Sequence, residues 1–209
     1  MKVVLFGASG VIGSRVLDEL VRRGHTVIAV VRHPEKVNPA NGVTVLPGDV
    51  TRHTDVAAAA RGADAAVSAY SPPPTDPGML SAAVRALIAG LNEAGVKRLI
   101  VVGGAGSLEV APGLQLVNTP SFPPAWMPIA LAHRDVLPVL RESDLDWSYF
   151  SPAALIEPGQ RTGKFRLGGT RLVANDRGES RISAEDYALA LVDELESPRH
   201  LRQQFTIGY

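Results

Sequence analysis

The sequence contains no cysteine, which excludes disulfides, thiolate metal sites and cysteine nucleophiles. It also lacks an excess of either charge, because 21 Lys and Arg residues balance 21 Asp and Glu residues. A chain with this balance has no general attraction for nucleic acids or anionic membranes, so neither is expected as a partner. No apolar run approaches the roughly 20 residues of a membrane span, and the N-terminal run is too short for a secretory signal. These absences lead us to expect a cytoplasmic protein.

Two common kinds of catalytic centre are missing as well. The five histidines show no paired spacing with carboxylates on one predicted face, so no metal site is expected. The G-x-S-x-G turn that presents the nucleophilic serine of many hydrolases does not occur. The chemistry of this protein therefore has to come from another type of site.

Short apolar runs alternate with segments of helical periodicity through most of the chain. The predicted strands are 3–6, 26–31, 43–46, 63–69, 98–102 and 147–150. The predicted helices are 11–23, 54–60 and 79–94. This alternation is typical of a parallel sheet with helices on both faces, and 209 residues suit one domain. We therefore expect residues 1–209 to form a single doubly wound α/β domain, with the exact doubly wound type left open.

The second half of the chain is less regular. Residues 111–128 are rich in proline and predict an ordered loop or lid. A helix is predicted for 129–141, with Pro138 expected to kink it or to mark a one-turn break.

The C-terminal region, residues 151–209, is expected to complete the substrate side of the domain. The apolar runs 164–167 and 170–173 flank a Gly-Gly pair and predict a β-hairpin. Ser183 is placed to cap the last helix, and 205–207 are expected to form a closing strand.

The most informative segment lies between the first predicted strand and the first predicted helix. It consists of Gly7, Ala8, Ser9, Gly10, Val11, Ile12 and Gly13. A diphosphate binds well over the unpaired N–H groups and positive dipole end of a helix if the backbone can approach it closely. The first two glycines permit that approach, and the third lets the helix pack against the strand. The spacing is G-x-x-G-x-x-G rather than G-x-G-x-x-G, and the alternative is a plain tight turn.

The residues after the second and third predicted strands bear on the cofactor. An acid after the second strand would favour NAD, but this chain has Arg32, whose guanidinium can bind a 2′-phosphate bidentately. We therefore expect NADP(H) rather than NAD(H), the alternative being a solvated surface arginine. Asp49 and the Val50 N–H follow the third strand, where they are expected to meet the adenine edge. A turn or N-cap role is the alternative for Asp49.

Together these segments resemble the atypical short-chain dehydrogenase/reductase family. The resemblance is carried by the glycine-rich loop, Arg32, Gly48-Asp49-Val50 and the strand end Ser68-Ala69. Matching segments in the second half are 101–108, 139–147, 152–154 and 181–188, so the resemblance spans nearly the whole chain. Within the family the chain is similar to the branch of NAD(P)H–flavin reductases and biliverdin IXβ reductase. The resemblance implies a Rossmann-like fold that binds NADP(H), with flavin-type or tetrapyrrole-type acceptors reduced in some members.

The usual acid of short-chain dehydrogenases, a tyrosine with a lysine four residues later, is absent. Tyr70, Tyr149 and Tyr187 are followed at that spacing by proline, alanine and leucine. Ordinary alcohol–ketone chemistry by that mechanism is therefore not expected. Hydride transfer to a flavin needs no protein acid, because the proton can come from solvent while the protein supplies proximity and a dry slot.

The acceptor slot is expected beyond the carboxyl ends of the strands. Its candidate walls are Tyr70 with the prolines after it, Gly103 and Gly104 through Leu108, Phe122–Trp126, and Pro152, Ala153 and Ala154 through Leu155. The segment 152–154 is also expected to bring backbone N–H groups to the nicotinamide amide. The cofactor is further expected to contact Ser68, Ala69, Tyr70, Gly103 and Gly104.

The resemblance further implies a serine after the fifth strand and a histidine after the sixth at the acceptor site of the biliverdin reductase relatives. This chain has Gly106 and Ala154 at those positions, which argues against tetrapyrrole reduction. Ser107 is a partial substitute for the serine. His133 is a candidate proton donor, with a structural or surface role as the alternative. No catalytic residue is assigned.

The expected function is an NADPH-dependent reductase of a flavin or another flat, conjugated small molecule. A non-catalytic redox sensor that binds NADP and reports to a protein partner is the first alternative. An isomerase or epimerase with a tightly held cofactor is the second, and the missing tyrosine–lysine pair argues against its usual form.

Overall fold

The computed structural model describes residues 1–38 and 40–209, which form an eight-stranded main sheet flanked by five α-helices. The strands are β1 (Lys2–Phe6), β2 (Thr26–Val31), β3 (Val43–Pro47), β4 (Ala65–Ser68), β5 (Arg98–Val102), β6 (Glu109–Ala111), β7 (Leu114–Gln115), β8 (Asp146–Ser151), β9 (Leu155–Glu157), β10 (Arg166–Gly168), β11 (Arg181–Ser183) and β12 (Gln203–Gly208). The helices are α1 (Val11–Arg22), α2 (His53–Ala60), α3 (Met79–Ala94), α4 (Met127–Arg141) and α5 (Ala184–Glu196). Within this described part of the chain, no helix has the length and apolar character needed to cross a membrane.

The main sheet has the strand order β10-β12-β8-β5-β4-β1-β2-β3. All neighbouring strands run parallel except β10, which is antiparallel to β12. The chain builds outward in one direction through β1, β2 and β3 and then in the other direction from β4. This reversal between β1 and β4 is the mark of a doubly wound sheet, and it confirms the predicted fold class.

Burial on both faces explains why β1 is apolar from Val3 to Phe6. Val3 and Leu5 pack in one core layer with α1 and α5, whereas Val4 and Phe6 pack in the other with α2, α3 and α4. All four side chains are at most 1% exposed. Removing apolar surface from water contributes about 25 cal/mol per Å², so the two layers together fix the position of the strand.

The strands and helices predicted up to residue 150 are confirmed, and each of their ends lies within two residues of its predicted position. The Ser183 cap of α5 is also confirmed, because the Asp186 N–H donates to its hydroxyl oxygen at 3.0 Å. The predicted closing strand is present as β12, which lies inside the sheet between β8 and β10.

The hairpin predicted for 164–173 is wrong. Residues 166–168 form β10, but this strand pairs with β12 and not with 170–173. The Arg166 guanidinium strengthens that pairing by donating to the Tyr209 carbonyl oxygen at 2.6 Å. The pairing also covers an edge of the sheet whose main-chain groups would otherwise lack partners.

Residues 111–128 contain short ordered pieces, namely the end of β6, its partner strand β7 and single 3₁₀ turns at 116–118 and 124–126. Helix α4 begins two residues before the predicted start and continues through Pro138 without the expected one-turn break. Val136, Leu137 and Leu140 are at most 4% exposed. Their burial outweighs the roughly 3 kcal/mol that a proline costs inside a helix.

Candidate functional site

A cleft opens where the strand order reverses, at the carboxyl ends of β1, β2 and β4. The parallel register pairs Phe6 with Val30 and with Ser68, so the residues after these strands emerge at one edge. The cleft encloses about 210 Å³. Eight predicted site residues line it: Gly7, Ser9, Gly10, Arg32, Asp49, Val50, Ala69 and Tyr70. Open α/β sheets bind their ligands at such a reversal point.

Two of the three glycines in the loop are needed for the packing of the chain itself. A Cβ on Gly7 would lie 2.6 Å from the Ala69 carbonyl oxygen, and the φ of +83° is one that other residues rarely adopt. A Cβ on Gly13 would overlap the Gly7 carbonyl oxygen, so α1 packs directly on the loop.

Gly10 is different, because the fold does not require a glycine there. Its extended backbone, with φ −80° and ψ 170°, suits any residue. Among the described residues, a Cβ would approach only the Gly7 carbonyl oxygen, at 3.4 Å. Gly10 also lines the cleft, so the space left by the missing side chain is available to a ligand.

Helix α1 begins beside the cleft with neither a capping side chain nor an acidic residue in its first turn. The Ser14 N–H donates to the Gly10 carbonyl oxygen at 2.9 Å and starts the helical ladder, which leaves the amides of 11–13 outside it. Such amides and the positive end of the helix dipole attract anions. Beside a residue without a side chain, they suit a phosphate group.

Three basic side chains after β2 line the cleft, namely Arg32, His33 and Lys36. His33 Nδ1 lies 3.3 Å from the Glu35 carboxylate, and Arg32 is exposed. Sequence reasoning identified only Arg32. The run Arg-His-Pro-Glu-Lys directly after a buried strand is the signal that would have indicated the other two. The positive charges of Arg32 and Lys36 suit a second phosphate group.

Asp49 combines the two roles considered for it. Its carboxylate accepts hydrogen bonds from the Thr51 N–H at 2.9 Å and hydroxyl at 2.8 Å, so it forms a turn, and it also lines the cleft. Burial acts to raise the pKa of Asp49, but the two Thr51 hydrogen bonds and the charge of Arg32 outweigh it and lower the pKa. The carboxylate is therefore ionised at neutral pH and can accept a hydrogen bond from a ligand.

The other predicted residues lie beside or away from the cleft. Ala8, Val11, Ile12, Gly13 and Ser68 belong to the loop, α1 and β4 next to it. Pro152 and Ala153 are buried after β8, and the Ala154 N–H donates to the Ser180 hydroxyl oxygen at 3.1 Å. That N–H, expected to face a nicotinamide amide, is engaged within the protein.

Gly103 and Gly104, predicted to contact a cofactor, make room for two side chains of the protein. A Cβ on Gly103 would overlap the Tyr149 ring, and one on Gly104 would lie 2.9 Å from the His133 Cβ. The Tyr149 hydroxyl donates to the His133 carbonyl oxygen at 2.7 Å and accepts from the Gly104 N–H at 3.2 Å. Burial lowers the pKa of His133 to about 4, so its ring is neutral at pH 7. The structural role considered for His133 fits this geometry better than proton donation.

Position 106 is closed to a serine, because a Cβ on Gly106 would lie 2.9 Å from the Ala130 Cβ. Ser107 does not replace it. Its side chain is buried, and its hydroxyl oxygen accepts from the Gln204 amide at 2.8 Å. Gln204 also donates to the Ser151 hydroxyl oxygen at 3.0 Å, so these three residues form a polar group inside the protein.

Residues 7–198 match a protein family described as NAD(P)H-binding. Three solved bacterial structures are similar over 100% of this chain. A proposed exported protein from Burkholderia pseudomallei is 50% identical over 100% of its own chain, with a TM-score of 0.90. A proposed epimerase from Bacteroides thetaiotaomicron is 44% identical over 96% of its chain, with a TM-score of 0.93. SP1627 of Streptococcus pneumoniae, a proposed NADH-flavin reductase, is 33% identical over 99% of its chain, with a TM-score of 0.88.

We expect NMR titration of the imidazole signals to give His133 a pKa of about 4. Between that value and the ordinary pKa of about 6.5, the unfolded chain binds a proton at this ring and the folded chain does not. The contribution of His133 to stability is therefore complete above about pH 6.5 and is lost as the pH falls towards 4. A His133 signal that titrates near 6.5 would contradict the buried environment.

Proposed function

This chain belongs to the NAD(P)H-binding family, and on that premise we propose that it is an NADPH-dependent reductase of a flavin or another flat, conjugated acceptor. The proposed NADH-flavin reductase from S. pneumoniae, at 33% identity, supports the reductase class. The proposed epimerase from B. thetaiotaomicron points to different chemistry. The missing tyrosine–lysine pair argues against the usual form of that chemistry in this chain.

The observation that carries the cofactor assignment is Gly10. The chain has no side chain at a cleft position where its own packing would accept one, at the start of a helix without a capping side chain. The diphosphate of a dinucleotide uses both features, because it needs close approach of the backbone and unpaired N–H groups. The residues present therefore fit this group.

In the proposed complex, the first turn of α1 holds the diphosphate, and Arg32 with Lys36 holds the 2′-phosphate. The guanidinium can offer two parallel N–H bonds to phosphate oxygens, and the ammonium adds a second positive charge. Asp49 accepts a hydrogen bond from the adenosine half. Bound NADPH supplies the hydride. The charge after β2 favours NADPH over NADH, because NADH has no 2′-phosphate.

The acceptor in this proposal takes its proton from water. The hydroxyls of Tyr149 and Tyr187 donate to the carbonyl oxygens of His133 and Phe150, and the His133 ring is neutral at pH 7. None of these three groups is suited to act as an acid towards a substrate. A flavin accepts a hydride without such an acid. The lack of a suitable acid among Tyr149, Tyr187 and His133 also favours a second candidate function, a redox sensor that binds NADP(H) without turnover.

The direct test is to incubate the protein with NADPH and FMN, riboflavin or a quinone and to follow the nicotinamide absorbance. We expect oxidation above the buffer rate with at least one acceptor, and faster oxidation of NADPH than of NADH. A thermal shift with NADP⁺ but no turnover with any acceptor would replace the reductase by the sensor. No shift with either nicotinamide coenzyme would remove cofactor binding altogether.

Gly10→Val should abolish detectable NADP⁺ binding in calorimetry, because the new side chain occupies the space proposed for the diphosphate. The free energy of unfolding should fall by no more than about 1 kcal/mol, since position 10 is exposed and its backbone suits valine, although valine is a poorer N-cap than glycine. The matched control is Gly169→Val, at an exposed glycine whose Cβ would meet nothing within 4 Å among the described residues. Unchanged binding by Gly10→Val would mean that the loop is only a turn.

Arg32→Asp should weaken NADP⁺ binding far more than NAD⁺ binding. Loss of a charge-assisted, bidentate phosphate contact costs on the order of 2–3 kcal/mol, which corresponds to roughly 30-fold to 150-fold in Kd. Arg177→Asp makes the same change of charge at an exposed position and should leave both affinities unchanged. Parallel losses for the two coenzymes would show that Arg32 does not contact the 2′-phosphate.

A further inference from the structure

Tyr70 differs from the other three tyrosines of this chain in the hydrogen bonding of its hydroxyl group. Its oxygen is buried and has no hydrogen-bond partner among the described residues, although Tyr70 lines the cleft. The hydroxyls of Tyr149, Tyr187 and Tyr209 all have protein partners, and that of Tyr209 donates to the Asp186 carboxylate at 2.8 Å. A buried hydroxyl without a partner is unfavourable, so the exception calls for a reason.

The position of Tyr70 links two parts of the cleft. Its backbone N is 3.0 Å from where a Cβ on Gly7 would lie, so the residue starts beside the glycine-rich loop. Its side chain packs against the core layer of α2, α3 and α4, and Tyr70 lines the cleft together with Arg32 and Asp49. Tyr70 therefore belongs both to the surroundings of the glycine-rich loop and to the cleft that contains Arg32 and Asp49.

The charged groups around Tyr70 agree with this position. Burial raises the pKa of the Tyr70 hydroxyl. The positive charge of Arg32 acts to lower this pKa, and the negative charges of Asp49 and Asp76 act to raise it. The hydroxyl is therefore neutral at pH 7 and keeps both its donor and its acceptor capacity. The Asp49 carboxylate does not accept a hydrogen bond from the Tyr70 hydroxyl, because its donors among the described residues are the Thr51 N–H and hydroxyl.

We propose that the Tyr70 hydroxyl is a binding group for the adenosine half of the dinucleotide and forms a hydrogen bond with it in the complex. This rests on the proposed cofactor binding. The adenosine half is indicated because Tyr70 lines the same cleft as Arg32 and Asp49, which follow β2 and β3, where open α/β sheets place the adenosine ribose. The ligand thus supplies the partner that the protein does not.

The test is Tyr70→Phe, which removes the oxygen and keeps the ring. Calorimetry should show about 5-fold to 10-fold weaker binding of NADP⁺, as expected for one neutral hydrogen bond. Adenosine 2′,5′-bisphosphate, which contains the adenosine half without the nicotinamide, should lose a similar factor. The unfolding temperature of the free protein should stay equal or rise, because a buried group without a partner is removed.

Tyr209→Phe is the matched control. It deletes a hydroxyl that is hydrogen-bonded within the protein and lies outside the cleft, so it should lower the unfolding temperature and leave both affinities unchanged.

Four results would overturn the proposal. The first is that Tyr70→Phe binds both ligands as tightly as the wild type. The second is that Tyr70→Phe loses affinity for NADP⁺ but keeps its affinity for adenosine 2′,5′-bisphosphate. A lower unfolding temperature for the free Tyr70→Phe protein would show that the hydroxyl has a partner within the chain. Finally, a wild-type protein that binds neither ligand would overturn the proposed function together with this inference, which distinguishes that failure from the other three.

Discussion

Close contact between main-chain groups at the start of α1 sets the geometry of the cleft. Gly7 lies against the Ala69 carbonyl group, and Gly13 lies against the Gly7 carbonyl group. Any side chain at either position would push the helix or the end of β4 away. Because the helix stays close, its first amides lie beside the ends of three parallel strands. This close packing of the helix brings the basic side chains after β2 and the turn at Asp49 to the same cleft as the first turn of α1.

The fold was largely predictable, since an element buried on both faces has a simple pattern. β1 is an example, because its residues from Val3 to Phe6 alternate between the two core layers and are all apolar. The edge of the sheet was not predictable in the same way. β10 pairs with β12, a strand some 40 residues away along the chain, and nothing in the local Gly-Gly pattern indicates that partner.

The candidate site likewise contains residues that the sequence could identify and residues that it could not. Residues selected for backbone geometry or strand position, such as Gly7, Gly10 and Arg32, do meet at the cleft. A glycine does not by itself indicate a ligand site, since Gly103 and Gly104 also follow a strand but make room for Tyr149 and His133. The partners of buried hydroxyls depend on distant contacts, so sequence reasoning could neither place Ser107 in a polar group with Gln204 nor show that Tyr70 lacks a partner.

The interior position of β12 also affects the order in which the molecule can form during synthesis. Residues 203–208 lie between β8 and β10, so the sheet stays open at β8 until this segment leaves the ribosome. The half of the sheet that carries the glycine-rich loop has all its strands by residue 102, whereas α5, which shares a core layer with β1 and α1, follows only at 184–196. A nascent chain therefore holds most of the cleft while it still exposes an unpaired strand edge, which is the stage at which chaperones have most to protect.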